Sequence, residues 1–263
     1  RQRVMFVELW AFLGILALAA LHIGAQSYDE DYAKKMLILS AGAYAPEPEP
    51  CVKMALPEEG DKWTLVTSYS NGCDKFGGMC HYYSIASEPK KQLIIVFRGT
   101  QTDEQLGANP YFSDALEKIW KSIEDVLKDP KYAVNRSSFD AKLQLLTVSY
   151  NVTFTGHSLG GALAGLAALR TVALKLRDTT QVRLYTFGEP RDGDYTLAMN
   201  HDKLVPDRYP DDMPEAYSGD KGNYKECTGD PKNEDVTCSD KIKFGLKKMG
   251  TYMDDHRHYF NHK

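Results

Sequence analysis

The sequence has no Cys-x-x-Cys pair, no apolar run as long as a membrane span, no patterned cluster of lysine and arginine, and no internal repeat. The first absence removes the usual thiolate spacing of a zinc site. The second argues against a transmembrane anchor. A bilayer-crossing helix needs about 18 or more apolar residues, whereas the greasy stretch from Trp10 to Leu21 stops at His22 and has Glu8 just upstream. The third leaves no electrostatic footprint for nucleic acid, since 32 Lys and Arg stand against 36 Asp and Glu, a net charge of −4. What remains is ordinary globular material: 43% hydrophobic and 26% charged residues over 263 positions, enough to bury one large α/β core.

Arg1 and Arg3 precede the greasy stretch, and small residues follow at Gly24 and Ala25. That order predicts a signal peptide over residues 1–25, one domain over 26–263, and a secreted or secretory-pathway location. Five cysteines fit an oxidising compartment. Cys73 and Cys80 flank one short loop, Cys227 and Cys238 another, so two local disulfides are expected, with Cys51 left over. Asn135-Arg136-Ser137 offers a sequon in a polar stretch; Asn151-Val152-Thr153 matches too, but begins an apparent buried strand.

Hydrophobic periodicity predicts a helix over Asp29–Ala43, ended by the Pro-rich run that follows, and strand-like alternation over Trp63–Tyr69 and His81–Ile85. Lys91–Phe97, reading KQLIIVF, has the β-branched continuity of a central strand buried on both faces. An amphipathic helix over Tyr111–Lys128 follows, then a strand over Leu143–Thr155, a helix over Ala162–Leu176 and a strand over Gln181–Phe187. Strands alternating with helices predict an α/β fold of the α/β-hydrolase type, with a mainly parallel central sheet and helices on both faces. From Asp207 to Asp240 the chain reads as polar loop.

The sharpest chemical signal is Gly156-His157-Ser158-Leu159-Gly160. A serine hydroxyl is a weak nucleophile unless a base reaches it unhindered. A tight turn between strand and helix pushes such a hydroxyl out at the top of a sheet, and glycines two residues either side let the two elements close on each other. Here the motif follows an apolar strand and precedes a helix rich in Gly and Ala, which is the context it requires. A developing oxyanion needs backbone N–H donors; Leu159, next after the serine, is one candidate. Thr100, following the strand end at Phe97-Arg98-Gly99, is the second.

In order along the chain, IVFRGT, TGHSLGGALA, YTFGEPRDGD and DHRHYF resemble the fungal-type class 3 lipase family, over most of the sequence from about Asp29. The resemblance implies a Ser–Asp–His triad and cleavage of acylglycerol or related lipid esters, with lipid as partner, no metal and no organic cofactor. It maps the histidine to His256, ahead of Tyr259-Phe260, leaving His258 as a bland neighbour; His256, His258 and His262 lack the spacing of a metal site. The family's acid stands just before a Val-Pro, which points to Asp202, although Lys203 occupies the expected step; Glu189 and Asp207 are rivals. His256 would take the Ser158 proton and return it to the leaving alcohol.

Two intervals are shorter than the resemblance implies. Thr100 to Tyr111 leaves space for only a brief loop where a lid is expected, and Gly188 to Asp202 contains no clear strand to carry the acid. These shortfalls raise a competing reading, a catalytically weakened relative that binds lipid or a protein partner. A weaker one is an acyltransferase that passes the same acyl group to an alcohol.

Overall fold

A computed structural model describes residues 28–57, 62–73, 78–99, 109–133, 149–211, 229, 231 and 256–260. Six strands form one sheet in the order β1 to β6: Trp63–Gly72, Met79–Ser87, Gln92–Phe97, Asn151–His157, Val182–Phe187 and Arg208–Asp211. β1, β2 and β3 pair antiparallel, while β3 through β6 pair parallel. Helices α1 (Glu30–Gly42), α2 (Glu49–Ala55), α3 (Asn109–Lys128), α4 (Leu159–Ala173) and α5 (Tyr195–Leu204) flank it, with a 3₁₀ turn at Thr179–Gln181. The α/β-hydrolase architecture expected from the sequence is present, as a mixed sheet with a parallel half.

Two apolar layers enclose this sheet. Leu93, Ile95 and Phe97 of β3 pack on the face of α3 and α4, and Ile94 and Val96 on the face of α1 and α2. This is why KQLIIVF lacks alternation: β3 is buried on both sides. β4 meets α1 with hydroxyls rather than methyls. Thr153 and Thr155 are buried hydroxyls there, and α1 supplies a partner for each, Tyr32 at 3.0 Å and Ser40 at 3.1 Å, with Gln92 also donating to Thr153. Asp29 caps α1 by accepting from the Tyr32 N–H.

Several boundaries differ from the sequence reading. The strand expected over Leu143–Thr155 runs Asn151–His157, and residues 134–148, including the Asn135 sequon, lie outside the described residues. Asn151 of the second sequon is exposed, but Thr153 is buried. The Pro-rich run ends α1 and then starts α2, since Pro fits the first turn of a helix where no N–H is needed. β6 was not foreseen: Arg208–Asp211 lies in the stretch read as loop, yet pairs parallel with β5. Four residues containing a proline carry too little periodicity to announce a strand. Cys73 and Cys80 form the expected disulfide, and Cys51 is free; Cys227, Cys238, the leader over 1–25, and Thr100 lie outside the described residues. Among the described residues no helix is long and apolar enough to cross a membrane.

Candidate active site

β4 delivers the chain to Ser158, which joins it to α4 with φ 58° and ψ −130°. An L residue at positive φ costs on the order of 1–3 kcal/mol and persists only where surrounding packing imposes it. That packing is visible in the glycines. A Cβ on Gly156 would stand 2.2 Å from the Gly160 carbonyl oxygen, and one on Gly160 would stand 2.4 Å from that of Phe97. Both obstacles are backbone. Gly160→Ala is therefore expected to lower unfolding free energy by roughly 3 kcal/mol, the upper end of overpacking effects, measured by urea unfolding.

The Ser158 N–H donates to the Phe187 carbonyl at the end of β5, 2.8 Å away, and the serine is 7% exposed. Gly188 comes next, with φ 56°, and a Cβ there would lie 2.5 Å from Nδ1 of His256 and 2.3 Å from the Tyr259 hydroxyl. The C-terminal turn therefore closes directly over the residues beside Ser158. His157, preceding the serine, donates from Nε2 to the His256 carbonyl at 2.8 Å, with the two rings 4.6 Å apart. Phe187 contacts Tyr259 and Phe260 edge-on. This aromatic pair anchors His256 on the α1 face of the sheet. Burial first, then His157 and Arg257, pull the His256 imidazole down to about 4, so it is neutral and able to accept a proton at physiological pH.

Leu159 opens α4, where its N–H is among the helix-terminal donors without an intrahelical acceptor. Gly99 lies against the elbow: a Cβ would stand 2.5 Å from the His157 carbonyl oxygen and 2.0 Å from the Tyr44 hydroxyl.

Of the three carboxylates expected as the acid, Glu189 is held by other partners, while Asp202 lies on α5 and Asp207 beside the start of β5. Asp202 sits near the end of α5, whose following residues Leu204 and Val205 pack in the α3/α4 layer, opposite the histidine's face. That helix leads down to Asp207, whose carbonyl accepts from Leu184 near the start of β5 and whose carboxylate lies 4.0 Å from Arg183. From Leu184 to Phe187 is three residues, about 10 Å of strand. Glu189 follows Gly188 closely enough, but its carboxylate turns to the α4 face, where it accepts from Thr186 at 2.7 Å and Arg208 at 3.0 Å. A different carboxylate residue ends β6, on the far side of β5 from the elbow. Asp211 pairs with Phe187, at the same sheet end as Ser158. Tyr209, two residues earlier on β6, stacks on Tyr185 in the α1 layer that also holds Tyr259 and Phe260. A sequence signal for it exists: Asp211 stands three residues before Pro214, the step that Lys203 occupies before Pro206.

The α4 face carries a second group of buried charges. Asp192 lies 4.0 Å from His201, and both crowd the space above Gly165 with Glu189. Burial, then Glu189, raises the Asp192 carboxyl to about 7; burial, then Arg208, lowers His201 to about 3. A carboxyl that folding holds protonated favours the folded state at low pH, and that advantage is lost as pH rises from the ordinary carboxylate range through 7. The neutral histidine acts oppositely, losing stability as pH falls from 6.5 towards 3. Asp192→Asn is thus expected to raise Tm by on the order of 5 °C at pH 8, and by less at pH 4.5, in calorimetric scans of both proteins. No group of three His, Cys, Asp or Glu among the described residues could hold a metal ion.

Residues 94–211 match the family model described as Lipase (class 3). Lipase ZK262.3 of Caenorhabditis elegans is 30% identical over 296 aligned positions, covering 89% of this chain and 79% of that protein. Among solved structures, a lipase from Rhizopus microsporus var. chinensis superposes with a TM-score of 0.51 at 20% identity, over 69% of this chain and 65% of that one. The native Rhizomucor miehei lipase propeptide complex gives 0.51 at 21%, over 71% and 63%. The chain thus spans a little under two thirds of these fungal chains.

Proposed function

The chain belongs to the class 3 lipase family, and from that premise we propose that it is a secreted carboxylic ester hydrolase acting on acylglycerols or related lipid esters at a lipid–water interface. The observation that carries this reading is the strained turn at Ser158 with His256 closed over its neighbours Phe187 and Gly188. In this mechanism His256 takes the hydroxyl proton as Ser158 adds to the ester carbonyl. The oxygen gains negative charge facing the Leu159 N–H and a second donor that we assign to Thr100. Collapse of that intermediate expels the alcohol, which receives the proton from His256 and leaves an acyl-enzyme. Water then repeats the cycle.

A third group must hold the imidazole with Nε2 towards the serine. We assign it to Asp211. Support comes from its place at the C-terminal end of β6, two strands from β4 and paired with Phe187 at the sheet end that bears Ser158. The signal-peptide order of the first 25 residues and the Cys73–Cys80 disulfide support a secretory location.

The weakened-relative reading rested on two short intervals, and the want of a strand to carry the acid was one. A strand at Arg208–Asp211, which carries the proposed acid, favours the hydrolase on that point. The two readings separate on turnover of p-nitrophenyl esters of increasing chain length, together with labelling by an active-site phosphonate. Hydrolysis and labelling at Ser158 support the enzyme; a folded protein that does neither overturns it.

A further inference from the structure

α1 runs alongside β4 so that Tyr32 meets Thr153, Ser40 meets Thr155 and, just beyond the helix, Tyr44 meets His157. The first two contacts satisfy buried hydroxyls. The third opens into a longer chain. The Tyr44 hydroxyl lies 3.0 Å from Nδ1 of His157 and is seated against Gly99, where a Cβ would stand 2.0 Å from it. At the far side of the ring, Nε2 lies 2.8 Å from the His256 carbonyl oxygen.

The polarity of this chain follows from its two ends. A carbonyl only accepts, so Nε2 of His157 carries the hydrogen. A neutral imidazole has one donor and one acceptor, so Nδ1 accepts, and the Tyr44 hydroxyl donates to it. Both links point the same way: Tyr44 to His157 and His157 to His256. Burial, the largest influence, pushes His157 below the usual histidine range and Tyr44 up to about 12, which keeps both in the neutral forms the chain needs. The three backbone segments joined are the loop after β3 that precedes Thr100, the bend at Ser158, and the turn bearing His256.

We propose that Tyr44 and His157 are positioning residues: with Tyr44 seated on Gly99, their directed hydrogen bonds fix the β3 loop, the Ser158 bend and the His256 turn in one mutual register. The inference rests on the assignment of Ser158 and His256 to ester hydrolysis. Its chemical sense is that these three segments are far apart in sequence, and nothing local sets their spacing. A displacement of about 1 Å between reacting groups is enough to cost a hundredfold in rate.

The test measures p-nitrophenyl ester turnover and phosphonate labelling in the full chain, for wild type, Tyr44→Phe, His157→Leu and His157→Gln. Tyr44→Phe and His157→Leu are expected to lower kcat on the order of 10–100-fold with little change in KM. His157→Gln, which can present an amide N–H near the position of Nε2, is expected to recover much of the loss. A residue that served stability alone would not show this split or this rescue. A second readout is independent of activity: ¹⁵N NMR of the wild-type chain should find His157 as the Nε2–H tautomer. The opposite tautomer, or wild-type turnover in Tyr44→Phe and His157→Leu, overturns the proposal. Wild-type protein that neither turns over ester nor takes the label defeats the hydrolase assignment itself.

Discussion

Ser158→Ala is expected to lower ester turnover by about 10⁶-fold, as for nucleophile removal in other serine hydrolases, and to abolish phosphonate labelling while leaving the thermal transition nearly unchanged. The rate effect follows from chemistry. Without the hydroxyl no acyl-enzyme forms, and His256 has no bound proton to move. The residual rate reflects binding and oxyanion donors acting on water. The stability expectation has two parts. The strain at φ 58° belongs to the backbone and persists in alanine, because it is imposed by Gly156, Gly160 and the Phe187 hydrogen bond. The lost hydroxyl belongs to a side chain with no hydrogen-bonded capping role. A variant that turns over ester at the wild-type rate would show that the acyl group never passes through this residue.

The parts of the molecule that were legible in the sequence are those whose signal is local. β3 announced itself by continuous β-branched residues, and the elbow by glycines whose absent side chains are read directly as close approach of β4, α4 and the Phe97 carbonyl. The acid was not legible in the same way. Asp202 followed a Val-Pro pattern by sequence distance alone, but α5 occupies that stretch and carries it along the α4 face. Only the pairing of β6 with β5 sets Asp211, the proposed acid, opposite Phe187, and a four-residue strand leaves almost no periodic trace. Tyr44 and His157 were missed for a related reason. Their partners lie at separations of 113 and 99 residues, and no spacing rule joins them.

The assignment of the acid gives the sharpest contrast between the two residues. Asp211→Asn is expected to reduce kcat by about 10⁴-fold, the loss seen when a triad carboxylate is replaced by an amide that stabilises the wrong tautomer. Asp202→Asn is expected to leave kcat close to wild type, because α5 holds that residue on the opposite face of the sheet. The pH profile carries a second, independent sign. The base must be neutral to act, so kcat/KM rises as pH increases through the His256 pKa and then levels. Burial, His157 and Arg257 all press that pKa below 6.5. A neighbouring carboxylate works against them by favouring the imidazolium. Removing its charge in Asp211→Asn therefore moves the acidic limb to lower pH, while Asp202→Asn leaves it in place. The reverse pattern, with the large loss and the displaced limb in Asp202→Asn, would return the acid to α5 and would require that helix to leave the α4 face before the ester could be cleaved.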